Sequence, residues 1–468
     1  MHQRLDNRKP TRVFFLWTID GERRTDAMTP GARIQAVIEL LDEIWSTEVP
    51  SDTIVSAYFR KRRYAGSSDR RAISERLYGI LRARGRLDWW IERTGAGVQP
   101  GPRSRMVAEL ILNNKSASGQ MAEIFSGETH CPEPLSATEA ALAESLYGRP
   151  LNHRDMPTPV RYEYPDWMDE SLRALWGDKL EVEVSALNRP APVDLRVNTL
   201  KATWEEAHES LRAEFVEAES MPLSPLGLRL TGKTRLGGTA AYKDGLIEVQ
   251  DEGSQLIAML TGAEPGMLVV DFCAGAGGKT LALAATMGVD GRIAGRLVAC
   301  DISSFRIERM EPRLMRAGAY QVKRKAIAAR GEPWIEKFAR HADRVLADVP
   351  CTNTGLWRRN PKAHWRLTPA DLDEIKSVQQ RILLDASELV KPGGRLVYST
   401  CSLLQDENEQ QLAWFLSRNG DFKPLPINRV WAETVGGPPP PTEGPCLRFS
   451  PASTGTDGFF CAVLQRLQ

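Results

Sequence analysis

The sequence predicts a multidomain chain: an all-α N-terminal domain, a small α+β module and an α/β doubly wound sheet. Three observations carry this. Leu268 to Thr280 reads Leu-Val-Val-Asp-Phe-Cys-Ala-Gly-Ala-Gly-Gly-Lys-Thr. An apolar run breaks into small residues and opens an Ala/Leu-rich helix, Thr280 to Met287, so strand, glycine turn and helix succeed one another. Beyond it, strand and helix patterns alternate, which makes a mostly parallel sheet. Ahead of it, from Ala32 to Leu146, apolar residues recur at helical spacing with no strand between them.

A chain of 468 residues is longer than one core usually serves. Hydrophobic residues at 42% and charged residues at 26% are ordinary for globular proteins. The 61 basic and 60 acidic residues balance overall, but unevenly along the chain. Thr53 to Arg105 holds 13 Lys/Arg against 4 Asp/Glu, a local net of +9, which leaves the remainder acidic. That bias exceeds what solvation of a helical face requires and points to nucleic acid. Seven cysteines, at 131, 273, 300, 351, 401, 446 and 461, form no Cys-x-x-Cys pair, and six histidines show no metal-ligand spacing. No metal site and no disulfide framework is expected, which fits a reducing cytoplasm. Val13 to Trp17 is too short to span a membrane and lacks a signal-peptide core.

Residues 1–27 read as a loose tail, with the natural start at Met28. Thr29-Pro30 signals helix entry. The first helix carries Ile34, Val37, Ile38, Leu41, Ile44 and Trp45 on one face. Ile54, Ala57 and Tyr58 begin a second helix. Asp69 can cap a third, with Ile73, Leu77, Ile80 and Leu81. Leu87, Trp89 and Trp90 start a fourth, and Met106 to Leu112 and Ala137 to Leu146 add more. Arg60, Arg62, Arg63, Arg70, Arg71, Arg82, Arg84 and Arg86 gather around the second and third helices of this domain, 28–150. Four prolines in 148–165 separate it from the α+β module, 165–245. There Met168 to Leu175 reads as a helix, Val193 to Val197 as a strand, Trp204 to Leu211 as a helix and Gly227 to Leu230 as a strand. Gly245 to Gln255 leads into the main sheet of the last domain, 246–468.

In that domain the strand Arg296 to Cys300 ends at Asp301, and Ser303 to Ala317 is a helix. Arg344 to Ala347 ends in Asp348-Val349-Pro350-Cys351. Ser377 to Val390 is a helix, Gly394 to Tyr398 a strand ending in Ser399-Thr400-Cys401-Ser402, and Val463 and Leu464 lie in a last strand. The glycine turn admits three ligands. A P-loop needs glycine where Cys273 stands, and a dinucleotide fingerprint needs glycine where Thr280 stands. An S-adenosylmethionine turn needs neither. An acid closing the next strand, Asp301, can accept both ribose hydroxyls. Reactive groups at several strand ends, Asp301, Asp348 with Cys351, and Cys401, mark an active-site rim. One cysteine alone would read as a buried small residue; two at neighbouring ends, one near an aspartate, do not.

These residues resemble a known family. Asp348-Val349-Pro350-Cys351-Thr352-Asn353-Thr354-Gly355 is similar to the Asp-Ala-Pro-Cys-Ser-Gly-Thr-Gly motif of RNA cytosine carbon-5 methyltransferases, and Tyr398-Ser399-Thr400-Cys401-Ser402 matches their Tyr-Ser-Thr-Cys-Ser. Val249 to Gln255, Arg358-Arg359-Asn360-Pro361 through Trp365-Arg366, Asp457-Gly458-Phe459-Phe460 and Arg196-Val197-Asn198-Thr199 also match. The agreement runs from Tyr164 to Leu467. Asp69-Arg70-Arg71 through Leu77 to Arg82, with Leu87-Asp88, resembles the NusB-like RNA-binding domain of the RsmB-type enzymes, which modify small-subunit ribosomal RNA. The chain departs from the pattern at Gly275-Ala276, where Ala-Pro is usual, and at Asn353, where glycine is usual. Lys325 to Arg330 lacks the acidic residue expected to bind the adenine amine.

The resemblance implies a Rossmann-like, S-adenosylmethionine-dependent methyltransferase acting on RNA, expected as a monomer with no membrane partner. It implies Cys401 as the nucleophile, Cys351 as the residue that helps release it, and Asp348 as the partner of the cytosine edge. The cofactor would lie on Cys273, Ala274, Gly275, Ala276, Gly277, Gly278, Lys279, Asp301 and Asp348. Lys279 stands where a positive charge could steady the cytosine or lower a thiol pKa. The target base must leave any stack to reach this rim. A DNA cytosine methyltransferase, using the Pro-Cys cysteine as nucleophile, and a non-catalytic RNA-binding protein are the rival readings. The Thr-Cys motif opposes the first, and two intact cysteines with Asp348 oppose the second.

Overall fold

Thr29 sets the first helix. Its hydroxyl accepts from the amide of Ala32 at 3.1 Å, proline follows at the first helical position, and Pro30–Ser46 runs on from there. The computed structural model describes residues 28–113, 118–232, 234–328, 331–440, 442 and 444–468. The expected tail at 1–27 lies outside the described residues. Contacts divide the chain into two units, residues 28–77 with 118–135 and residues 78–113 with 136–468.

The smaller unit is helical. Ile34, Val37, Leu40, Leu41 and Ile44 of the first helix are buried, as the spacing requires. Asp69, expected as a cap, lies inside the helix Ser67–Leu81 and reaches back: it accepts from the amide of Gly66 at 3.3 Å and from Arg33 Nε at 2.8 Å. That is the returning half of a capping box, made by an acceptor side chain at the third helical position. Arg62 lies against Glu39 and the Tyr58 ring, and Arg70 donates to the carbonyl of Ala65. Arg60, Arg63 and Arg71 are exposed.

In the larger unit, Arg84–Arg93, Pro102–Leu112 and Ala137–Leu146 are helices. Buried Glu163 caps the first of them, accepting from the amides of Gly85 at 2.7 Å and Arg86 at 3.1 Å and from Arg86 Nε at 2.7 Å. Arg105 grips Asp88 with both arms at 2.7 and 2.9 Å. These arginines serve the fold.

Four antiparallel strands, β1 (Asp194–Val197), β2 (Ala218–Ser220), β3 (Gly227–Leu230) and β4 (Ile247–Val249), form a sheet in the order β2-β3-β1-β4. Here the sequence reading needs correction. Ile247–Val249 does not lead into the main sheet. It pairs with β1, Val197 against Ile247 and Leu195 against Val249. The reason is burial: Ile247 completes the small core of Leu195, Val197, Ala207, Leu211 and Leu228.

The main sheet follows with β5 (Leu268–Asp271), β8 (Arg296–Asp301), β9 (Lys323–Ala326), β10 (Ala342–Asp348), β11 (Val390–Thr400), β12 (Phe422–Pro424), β13 (Cys446–Phe449) and β14 (Phe459–Arg466); β6 (Gly288–Val289) and β7 (Arg292–Ile293) pair apart from it. Its order is β12-β14-β11-β10-β5-β8-β9, with β13 also on β14. The strands from β9 to β11 are parallel and β14 is antiparallel. Successive side chains face opposite layers, so Val269, Leu297, Leu346 and Val397 join one core and Val270, Val298, Val345 and Leu396 the other. A strand buried on both faces has to be apolar throughout. Because β8 and β10 lie on opposite sides of β5, the topological switch point falls between β5 and β10, where such sheets take ligands.

Two helices differ from expectation. Ser303 to Ala317 is two segments, Ser304–Arg309 and Glu311–Ala317, parted at Met310. Pro312 lacks the N–H that a continuous helix would use. The helix expected from Ser377 starts at Pro369, capped by Thr368, whose hydroxyl accepts from Asp371 N at 3.3 Å. Its first two turns bury little besides Leu372, too thin an apolar stripe to read.

The strand-end loops meet through glycine backbone. The amide of Gly458 donates to the carbonyl of Gly355 at 2.9 Å, and the amide of Gly355 to the carbonyl of Cys401 at 2.9 Å. A Cβ on Gly355 would lie 2.2 Å from the carbonyl oxygen of Gly458. Gly355→Ala should therefore cost about 1–3 kcal/mol, the usual price of forcing atoms into a packed contact. Urea unfolding reads this as a lower midpoint at unchanged slope; an unshifted midpoint would remove the contact from the forces holding these loops.

Candidate active site

The carboxyl ends of β5, β8, β10 and β11 surround a cavity of about 530 Å³. After Asp271 the chain turns through Gly275 and Gly277, at φ +54° and +83°, into the helix Gly278–Thr286. Glycine takes that left-handed geometry without a Cβ clash. Asp301 closes β8 and is buried: Oδ2 accepts from the amide of Gly275 at 2.9 Å and Oδ1 from that of Ser303 at 2.8 Å. Of the residues singled out from the sequence, Cys273, Asp301, Asp348, Cys351 and Cys401 line the cavity together. Ala274, Gly275, Ala276, Gly277 and Gly278 build the turn and are not among its lining residues. Gly275 acts through Asp301, and the carbonyl of Ala276 accepts from Arg313 at 2.7 Å.

Asp348 is held from two sides. Its Oδ2 accepts from Lys279 Nζ at 2.7 Å and its Oδ1 from Ser399 Oγ at 2.8 Å. Burial pulls the Lys279 ammonium pKa down, but Asp348 and, less strongly, Cys401 outweigh it, and the net shift is upward. The sulfurs of Cys351 and Cys401 lie 3.2 Å apart. Cys351 is buried and Cys401 half-buried; both are free thiols. The bond to Cys401, then burial, push the Cys351 thiol well up.

Buried Glu407 joins the two cysteine loops. It accepts from the amide of Thr352 at 2.9 Å, from Gln379 Nε2 at 2.9 Å, and from the hydroxyls of Thr352 and Ser402. Burial lifts its carboxyl, and the Ser402 and Thr352 bonds oppose that. A second cluster joins three motifs distant in the chain. Asp457 accepts from Nε of both Arg358 and Arg359, and Asp251 Oδ1 accepts from Arg359 at 3.1 Å, Arg358 at 3.3 Å and the amide of Asp457 at 3.0 Å.

Sequence reasoning missed Glu407, which sits in a polar stretch without periodicity. It also missed the cavity's apolar wall of Ile302, Ile327, Val378 and Ile382, and Asp385 with it. Asp271 stands out in the sequence only as one residue of the Leu268–Thr280 stretch. It is buried, Oδ2 accepts from the Thr280 hydroxyl at 2.6 Å, and Oδ1 has no partner. Among the described residues no three of His, Cys, Asp or Glu group to hold a metal.

A doubly wound sheet with an antiparallel strand beside the last parallel one, and a cavity at its switch point, is the Rossmann-like methyltransferase core, here preceded by a helical N-terminal region. Residues 258–465 match the family described as 16S rRNA methyltransferase RsmB/F, and residues 164–236 match the RsmF/B-like, ferredoxin-like domain. A curated relative from Synechocystis sp., named "Probable ribosomal RNA small subunit methyltransferase B", is 32% identical over 85% of this chain and 91% of its own. The ribosomal RNA small subunit methyltransferase B of Pasteurella multocida is 32% identical over 65% of each chain. The crystal structure of PH0851 is 29% identical, with a TM-score of 0.75 over 94% of this chain and 99% of that one. The chain belongs to the RsmB/F family of 16S rRNA methyltransferases.

Burial lifts the Asp271 carboxyl from 3.8 to about 7; the Thr280 bond and Lys279 pull it down, while Asp348 and Asp301 push it further up. The folded chain thus binds this proton more tightly than the unfolded chain, and stability falls as pH rises from about 4 to about 7. Between pH 5 and 8 this one group should remove on the order of 2–3 kcal/mol. Asp271→Asn should flatten that part of the profile, read from urea midpoints at the two pH values. Parallel profiles for the two proteins would show that Asp271 is ionised at little cost.

Proposed function

We propose that this chain transfers a methyl group from S-adenosylmethionine to carbon 5 of a cytosine in small-subunit ribosomal RNA, through a covalent bond between Cys401 and carbon 6 of the base. The observation that carries this is the pair of sulfurs 3.2 Å apart at adjacent strand ends, in one cavity with Asp301 and with Asp348 tied to Lys279. The family and its ribosomal relatives support the substrate.

The cavity suits the cofactor. Asp301 is anchored by two backbone amides, leaving lone pairs for ribose hydroxyls. Ile302, Ile327 and Ile382 offer an apolar slot for a flat base. Asp385, a cavity carboxylate lifted by burial against the pull of Arg381, replaces the acid absent from 325–328 as the partner of the adenine amine. When bound, S-adenosylmethionine supplies an electrophilic methyl group.

Carbon 5 of cytosine is a poor nucleophile. Cys401, as thiolate, adds to carbon 6 and turns the ring into an enamine whose carbon 5 can attack the methyl. Asp348, steadied by Lys279 and Ser399, accepts from the exocyclic amine and, once nitrogen 3 of the adduct is protonated, from that N–H as well. Carbon 5 then carries both methyl and hydrogen. Cys351, after giving up its own proton to solvent, takes that proton as thiolate, the carbon 5–carbon 6 double bond re-forms, and the Cys401 sulfur departs with its bonding pair.

Exposed Arg60, Arg63 and Arg71 are the phosphate contacts in this reading. Replacing the three by glutamine should lower the salt slope of RNA binding by about 2, at about 0.7–0.9 per phosphate contacted. Equal slopes would make that face merely solvated.

The cysteines separate by variant. Cys401→Ala should form no adduct and no product. Cys351→Ala should add to the base and transfer the methyl, then stall as a protein–RNA band that survives denaturing electrophoresis and requires S-adenosylmethionine. An adduct from Cys401→Ala with none from Cys351→Ala would assign the nucleophile to Cys351, as the DNA-type reading does.

A further inference from the structure

Position 353 holds asparagine where the resembling motif has glycine. Its backbone explains the glycine: φ is +57° and ψ 27°, the left-handed region that asparagine, among residues with a side chain, enters at low cost. Its side chain then does something a glycine cannot. Oδ1 lies 3.0 Å from Cys401 Sγ and 4.0 Å from Cys351 Sγ, while Nδ2 donates to the carbonyl of Cys351 at 3.0 Å. A backbone carbonyl only accepts, so the amide nitrogen has to face it, which turns the amide oxygen to the sulfurs. That oxygen also only accepts, so the hydrogen between it and Cys401 is the thiol's own.

We propose that Asn353 is a positioning residue for the nucleophile: its side-chain carbonyl holds the Cys401 S–H, keeping the sulfur aimed and protonated until the base enters. This rests on Cys401 being the nucleophile. The charged and titratable groups around the sulfur are few. Lys279, on the helix after the glycine turn, pairs with Asp348 at the end of β10 and interacts more weakly with Cys401; Glu407 acts on the neighbouring Cys351, which lies in contact at 3.2 Å. A thiolate so close to a second thiol in an open cavity is the species that oxidants convert to a disulfide. Accepting the S–H restrains that state, and it fixes one of the three staggered rotamers of the side chain. Without the bond the sulfur is correctly aimed roughly a third of the time.

The test uses the full chain with Asn353→Gly and Asn353→Asp, both tolerant of the backbone geometry. Alkylation by iodoacetamide, with no RNA or S-adenosylmethionine present, is followed at each cysteine by peptide mass spectrometry across pH 6–9. Cys401 should react several-fold faster than wild type in Asn353→Gly, and more slowly, with its profile displaced to higher pH, in Asn353→Asp, where a carboxylate faces the sulfur. The other cysteines should keep their rates. In methyl transfer, Asn353→Gly should lower kcat about threefold and leave KM for RNA unchanged. Wild-type alkylation of Cys401 in both variants, or equal acceleration at every cysteine, would overturn the proposal. Methyl transfer by Cys401→Ala would overturn the nucleophile instead, whatever order the alkylation rates take.

Discussion

One buried carboxylate holds the reactive end of this molecule together. Glu407 gathers donors from Thr352, one residue past Cys351, from Ser402, one residue past Cys401, and from Gln379 on the helix between the two strands. Charge-assisted hydrogen bonds contribute about 1.5–3 kcal/mol each, and the burial of the carboxylate opposes them. The sum depends on all donors arriving at once, so neither loop can shift without stranding a charge. The parallel pairing of β10 with β11, Asp348 opposite Ser399, delivers the loops to that point.

A second constraint works from outside. Asp251, Arg358, Arg359 and Asp457 come from three parts of the chain and form one cluster, and the contact of Gly355 with Gly458 closes against it. Buried ion pairs add little net stability because desolvation offsets attraction, but a missing partner is costly. Such a cluster specifies one arrangement of the loops and penalises the rest. It gives a physical reason for three short motifs, far apart in sequence, to act as one unit.

The cavity itself is electrostatically tense. Asp348 and Asp301 lie close enough to Asp271 to raise its proton affinity, and half-buried Lys279 pairs with Asp348 beside them. Lys279 is therefore committed to Asp348 first, and its effect on a thiol is the smaller one. The sequence offers Lys279 to the cytosine or to a thiol; the structure instead pairs it with Asp348.

Much of this was legible without coordinates. A strand buried on both faces must be a short apolar run, and strands alternating with helices admit few topologies, so the sheet and its glycine turn followed from the pattern. Helix entry at Thr29-Pro30 followed from local chemistry. Cys351, Cys401, Asp301 and Asp348 were legible as strand-end residues because strand ends are where a buried run turns polar. The break at Met310, the strand partner of Ile247, the role of Glu407 and the acid at 385 were not. Each depends on what a distant segment places beside it. Fifty residues separate Cys351 from Cys401 in the chain and 3.2 Å separate their sulfurs in space. Sequence determined which groups were available and which ends of which strands bore them. Only tertiary structure decided their pairing, because strand register and loop contacts are set by residues that local pattern cannot connect.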